Sequence, residues 1–261
     1  LIRVPNWLPD PLGRYYLYFA HHGGRYIRLT YADDLTGPWT LYAPGTLQLE
    51  ETQFQSHIAS PDVLIDDKHQ DILMFFHGCC VGPPVPQVTK LAVSKDGLHF
   101  SEEPPILASS YWRTFWYGDY WYSIVMPGDI YRSRDLRASS WEKGPCPFPA
   151  ASRHFAVRVV DDKLHVFYSI KGDCPEHILV SSIDLTQDWT SWKPDHTNDL
   201  LHPERPWEGG LEPLEPSSGG AAPGHVRQLR DPAIYEEDGR IYLLYCTAGE
   251  SGIAIAELSL M

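Results

Sequence analysis

Tyr31-Ala32-Asp33-Asp34-Leu35-Thr36-Gly37-Pro38-Trp39 returns in altered form three times. The other copies are Val93-Ser94-Lys95-Asp96-Gly97-Leu98-His99-Phe100, Arg132-Ser133-Arg134-Asp135-Leu136 running to Trp141, and Ser181-Ser182-Ile183-Asp184-Leu185-Thr186-Gln187-Asp188-Trp189. Each reads as the end of a strand, a turn centred on Asp, and an aromatic residue that opens the next strand. A phrase recurring every ~40–50 residues marks a propeller or another repeat array, whose units bury their faces only against neighbouring units.

Working outward from the second copy, period-two alternation and turn residues give four strands to a repeat, A to D from the inside outward. They are Pro61 to Ile65, Ile72 to Phe76, Thr89 to Ser94, and a strand from Phe100 onward. Repeat one offers Tyr15 to Ala20, Tyr26 to Tyr31 and Trp39 to Tyr42. Repeat three offers Trp112 to Tyr117, Tyr120 to Val125, Ile130 to Ser133 and Trp141 onward. Repeat four offers Phe155 to Val160, Leu164 to Ser169, Ile178 to Ile183 and Trp192 onward. A fifth, Asp231 to Tyr235, Ile241 to Cys246 and Ile253 to Leu258, stops one strand short. The expectation is an all-β chain, a five-bladed β-propeller with four-stranded antiparallel blades around a central funnel. It is read as one domain over residues 1–261, with the missing residues upstream of Leu1 expected to supply the absent strand.

Composition narrows the partners. A net charge of −13 over 261 residues argues against nucleic acid, which rewards basic patches. No apolar run approaches the ~20 residues of a membrane span. Cys79, Cys80, Cys146, Cys174 and Cys246 are odd in number and show no metal-ligand spacing, so idle thiols are expected rather than a disulfide framework. The chain opens at Leu1 without Met, so upstream residues, and any secretion signal among them, are expected to be missing. Localisation stays open between a reducing compartment, which the thiols favour, and secretion.

Short polar turns join A to B, and the Asp phrase joins C to D. The unusual residues fall instead on the entries to A strands (His57, Asp62, Arg113, Arg153, His154, Arg227, Arg230, Asp231) and on the B-to-C loops. Those loops carry His21, His22, Arg25, His77, Lys171, Asp173, Glu176, His177, Glu250 and Ser251. Any one of these is more often a structural residue than a functional one. Gathered at one end of the strands they suggest a concave site with convergent polar groups.

Two segments carry a resemblance. His57-Ile58-Ala59-Ser60-Pro61-Asp62-Val63, followed by Ile72 to Gly78, and Arg230-Asp231-Pro232-Ala233-Ile234-Tyr235, followed by Asp238-Gly239-Arg240-Ile241-Tyr242, resemble the five-bladed propeller glycosidases of glycoside hydrolase family 43. The resemblance implies hydrolysis of a glycosidic bond by a pair of carboxyl groups, one activating water and one protonating the leaving oxygen. It implies Asp231 as the base and Asp62 as a positioning carboxylate. The family's acid, a Glu at a middle-blade entry, has no counterpart, because Trp112-Arg113 and Arg153-His154 stand there. Glu176, Glu250, Glu212 and Glu215 are the substitutes within reach.

The same rim admits two other readings. His57, His77 or His154 as acid or base, with Arg25, Arg153 or Arg230 holding a carboxylate, is what elimination on a uronic acid needs. Aromatic residues such as Trp112, Trp116, Trp121 and Trp207 suit a non-catalytic glycan-binding platform. The His cluster leaves room for a cation in the funnel, but no HxH or HExxH spacing names one. His21, His22 and Glu250 join the expected substrate contacts, and the expected ligand is the chain end of an oligosaccharide or polysaccharide. The Pro- and Gly-rich stretch 203–224, too long for an ordinary connection, is expected to form a wall or lid on that site.

Overall fold

The computed structural model describes residues 1–79 and 86–259; Cys80 therefore lies outside the described residues. The fold is all-β, a five-bladed β-propeller whose blades are five consecutive antiparallel sheets. Sheet one runs β1 (Ile2–Arg3), β2 (Tyr15–Ala20), β3 (Tyr26–Ala32) and β4 (Thr40–Gln48). Sheet two runs β5 (Ile58–Asp66), β6 (Asp71–Gly78), β7 (Val88–Ser94) and β8 (Ser101–Glu102), with β9 (Ala108–Ser109) also paired to β7. Sheet three runs β10 (Arg113–Tyr117), β11 (Tyr120–Val125), β12 (Asp129–Ser133) and β13 (Glu142–Lys143). Sheet four runs β14 (Ser152–Val160), β15 (Lys163–Ile170), β16 (Ile178–Asp184) and β17 (Thr197–Leu201). Sheet five holds β18 (Arg230–Glu237), β19 (Arg240–Thr247) and β20 (Gly252–Leu258), three strands among the described residues.

The N-terminal strand β1 pairs with β2 as the first strand of sheet one, and sheet five has three strands among the described residues. One expectation changes. The last strand of sheet four begins at Thr197 rather than Trp192, because Trp189–Ser191 winds into a short 3-10 turn capped by Asp188.

The chain forms two compact units, residues 1–112 with 137–140, and residues 113–136 with 141–261. The first has a core of Tyr16, Ile27, Leu29, Leu47, Ile58, Ile72, Met74 and Phe76. The second has two clusters, one around Phe155, Leu164, Val166 and Trp189, the other around Phe167, Leu229 and Leu243.

The recurring Asp is a turn device. Asp96 Oδ1 accepts from the backbone N–H groups of Leu98 and His99, both at 2.8 Å. Asp34 accepts from Thr36 N at 2.8 Å and Asp184 from Thr186 N at 2.9 Å. These side chains replace missing backbone partners where the strand reverses, which is why the phrase repeats.

A second repeated device lies at the start of the first strand of three sheets. β5, β14 and β18 carry a bulge between Ala59 and Asp62, Arg153 and Ala156, and Arg230 and Ala233. Each bulge holds a non-glycine residue in the left-handed region: Ser60 (φ 49°), His154 (φ 59°) and Asp231 (φ 48°), with Tyr111 (φ 61°) two residues before β10. Such a conformation costs about 1–3 kcal/mol and is kept where the surroundings fix it. In this register Asp231 corresponds to Ser60 and His154, while Asp62 corresponds to Ala156 and Ala233. The two aspartates of the resembling motifs therefore occupy different positions of the repeat.

Candidate active site

The bulge aims two residues of the second unit at each other. His154, from β14, sits between two carboxylates: its Nε2 is 3.7 Å from Asp231 Oδ1, and its Nδ1 is 3.9 Å from Glu176 Oε1. Glu176 lies on the β15–β16 loop and is fully buried. Arg153 grips it with two guanidinium hydrogen bonds, one from Nε at 2.9 Å and one from Nη2. Ser169 donates its hydroxyl hydrogen to Glu176 Oε1 at 2.6 Å and lies 3.3 Å from His154 Nδ1. A serine has one hydrogen to give, so it accepts from His154 Nδ1–H. That fixes the tautomer, with the hydrogen on Nδ1 and the unprotonated Nε2 turned toward Asp231.

The charges follow from this arrangement. Burial drives the His154 imidazole well below its ordinary range, and the neighbouring Arg153 cation acts in the same direction, so the ring is neutral. Burial raises the Glu176 carboxyl, but the hydrogen bonds and charge of Arg153 outweigh it and the net shift is downward. Asp231 moves the other way: burial raises it more than Arg113 and Arg230 lower it. Its side chain keeps 29% of its surface open, so of the two carboxyls it is the one with a raised pKa and access to solvent.

Sheet five builds the opposite edge. Arg230, completely buried, donates to Gln228 Oε1 (3.1 and 2.6 Å), to the Gly220 carbonyl (3.1 Å) and to Glu250 Oε1 (2.9 Å). Glu250 also accepts from Ala222 N. Stretch 203–224 is thereby tied to the site. It is also tied to the β15–β16 loop, since Ser217 N donates to Asp173 O and Gly172 N to Ser217 Oγ. Glu208, buried within the same stretch, accepts from Arg205 N at 2.8 Å and from the Tyr245 hydroxyl at 2.9 Å.

The first unit gathers a separate group. His57 stands between Ser56 Oγ (3.0 Å from Nδ1) and Gln87 Nε2 (3.1 Å from Nε2), and burial lowers its pKa. Its ring is 5.9 Å from that of His77, which lies 4.7 Å from Tyr111. Gly24 (φ 67°) is pressed against His57 so closely that a Cβ there would collide with the His57 Cβ. His21 stacks on Tyr26, and His22 is exposed beside it. Asp62 lies in β5 opposite Phe75.

Several expected site residues take other roles. Trp112 is buried to 1% and stacks on Phe75 at 5.3 Å, which leaves no face for a sugar. Glu176, buried and held ionised by Arg153, has neither the proton nor the access of a general acid. Arg153 and Arg230 spend their donors on protein acceptors, and Arg25 is paired with Glu50 at the surface. Ser169 and Gln228 were not singled out from the sequence. Ser169 was within reach, because it occupies the strand-end position of His77 and Cys246: these three face Arg153, Ala59 and Arg230 respectively.

No protein-family model matches the chain. Its fold is that of the family-43 glycoside hydrolases. It matches a thermostable family-43 glycoside hydrolase with a TM-score of 0.66 at 16% identity, over 95% of this chain and 86% of that one. It matches the α-L-arabinanase of Cellvibrio cellulosa, solved with arabinohexaose, with a TM-score of 0.62 at 12% identity, over 94% and 88% of the two chains. In sequence it is 34% identical over 292 residues to "Uncharacterized protein R118" of Acanthamoeba polyphaga mimivirus, spanning 99% of this chain and 82% of that protein. The chain belongs to the family of that viral protein.

Proposed function

We propose that the protein is a glycoside hydrolase acting on the chain end of an oligosaccharide, with Asp231 transferring the proton at the scissile bond. The observation that carries this reading is the opposite treatment of two carboxyls around one neutral imidazole. Glu176 is locked and ionised, while Asp231 is partly open, raised, and faced by the unprotonated Nε2 of His154. A raised carboxyl suits the donor, which must hold its proton until the leaving oxygen needs it. The sequence resemblance gives Asp231 the base half; its environment favours the donor half. Glu250, kept near Arg230 and partly open, is then the carboxylate to activate water.

The spent arginines favour hydrolysis over uronate elimination, because Arg153 and Arg230 have protein carboxylates where elimination needs a substrate one. The stretch 203–224 favours a closed pocket and hence a chain end, since it is anchored at Gly220, Ser217 and Glu208 around the site. Structural neighbours were solved with arabinohexaose and with xylotriose. Arabino- and xylo-oligosaccharides are therefore the first substrates to try, beside uronate-containing ones, following both sugar release and the ultraviolet absorbance of unsaturated uronate. Release without absorbance, abolished in Asp231→Asn, is expected. Absorbance establishes a lyase instead, and binding without turnover a glycan-binding propeller.

A further inference from the structure

One cluster of side chains stands outside that site and plays no part in it. His177, immediately before β16, Asp199, in the middle of β17, and His202, just after it, bring two imidazoles and a carboxylate together, with one donor atom from each all within 4.8 Å of one another. The sequence hides this set, since residues three apart in a regular strand point to opposite faces. The ladder pairs Ile178 with Leu201 and Leu179 with Asp199, leaving Leu200 as an extra residue. That bulge returns Asp199 and His202 to one face and sets His202 against His177 across the ladder.

We propose that His177, Asp199 and His202 bind a zinc ion. His177 Nε2 is 3.1 Å from Asp199 Oδ1, and His202 Nε2 is 3.5 Å from Asp199 Oδ2. These contacts reach the two different oxygens of the carboxylate; with one donor atom taken from each residue the three lie within 4.8 Å of one another, which small side-chain rotations bring to the about 3.3 Å that separates ligands of a tetrahedral zinc. The two rings lie nearly parallel, 14° apart with centroids at 4.1 Å, and both present Nε2 to the same carboxylate. His177 Nδ1 lies 2.9 Å from the Pro175 carbonyl, which only accepts, so Nδ1 carries a hydrogen and Nε2, which faces Asp199, is the nitrogen that would give up its hydrogen to bind the ion. An imidazole oriented by a backbone carbonyl on its second nitrogen is the usual support of a metal-binding histidine. Imidazole and carboxylate donors suit zinc better than magnesium or calcium, which prefer all-oxygen sites. Three protein ligands leave a fourth position for water. The site adjoins Glu176 in sequence, so the bound ion would tie the β15–β16 loop to β17.

The test is titration of chelator-stripped protein with zinc chloride by calorimetry, with metal content checked after dialysis. One zinc per chain is expected, together with a rise in melting temperature on zinc addition. His202→Asn, at a half-buried position, and Asp199→Asn, at an exposed one, are each expected to weaken binding at least tenfold. Their far-UV circular dichroism and zinc-free melting temperature should stay close to those of the parent. Absence of stoichiometric uptake overturns the proposal, as does uptake undiminished in both variants. Variants that change only the pH dependence of stability, with no metal taken up by the parent, reduce the cluster to a histidine–carboxylate ion pair and overturn it equally.

Discussion

Asp231 and Glu176 make opposite predictions although both are carboxylates beside the same histidine. The folded pKa of Asp231 lies above its unfolded value, so the folded state penalises its charge. The stability it contributes is full below the unfolded value and is lost as pH rises through the folded one. Asp231→Asn removes that penalty: the variant is expected to melt no lower than the parent at neutral pH while turnover falls by about 10²–10⁴-fold, the usual contribution of a positioned proton donor. If Asp231 is the donor, the alkaline limb of the parent's kcat/KM profile belongs to it; if the acid limb does, the residue is the base. Glu176→Gln leaves the Arg153 guanidinium buried without its counter-ion, and loss of one partner of a buried pair costs about 3–5 kcal/mol. Denaturant melts of the two variants side by side separate the chemical residue from the positioning one. Sequence reading placed both acids near the site, Asp231 as the base and Glu176 among the substitutes for the acid, but carried no information on their charge. Burial decides their charge, and burial of Glu176 depends on Arg153 and Ser169, which arrive from β14 and β15.

At the scale of elements, what was legible was what is local. The Asp turn repeats in sequence because its hydrogen bonds close within three residues, whereas the bulges at Ser60, His154 and Asp231 are defined by partners across a ladder. The turn carries its own pH signature. Burial raises Asp96, but its hydrogen bonds to His99, Leu98 and Ser94 prevail and hold it at about 2, against an unperturbed 3.8. The stability it supplies is present above the unfolded value and is lost as pH falls from 3.8 to about 2. Asp96→Ala is expected to flatten that acid limb and to lower stability by about 1 kcal/mol, as loss of a side-chain cap does. Acid titrations followed by tryptophan fluorescence measure both. A second element, β7–β8, hides a buried ion pair: Lys90 Nζ donates to Glu102 Oε1 at 2.6 Å and to Gln53 Oε1 at 2.7 Å, with the ammonium wholly enclosed. Glu102→Gln is expected to cost about 3–5 kcal/mol, whereas Lys90→Met with Glu102→Leu is expected near neutral, because the desolvation cost leaves with the pair. Nothing in the alternation of Val88–Ser94 distinguishes this lysine from a solvated one.

The whole molecule raises the question of how many cooperative blocks it contains. The single domain read from the repeats and the two compact units observed in the fold are compatible if neither unit unfolds alone, and the path of the chain supports that outcome. Residues 137–140 belong to the first unit, where Arg137 donates to Asp66 at 2.9 Å and to Asp71 at 2.6 Å. They are nevertheless the middle of the connection from β12 to β13, both strands of the second unit. Loss of either unit therefore strains or frees a segment that the other one fixes. One calorimetric transition is expected, with equal calorimetric and van't Hoff enthalpies and the same midpoint by far-UV circular dichroism and by tryptophan fluorescence. Arg137→Met should lower that single midpoint without splitting it, since Asp66 and Asp71 then lose a shared cation. Two transitions in the parent, with only one of them moved by Arg137→Met, would establish two independently folding units and refute the single-domain reading.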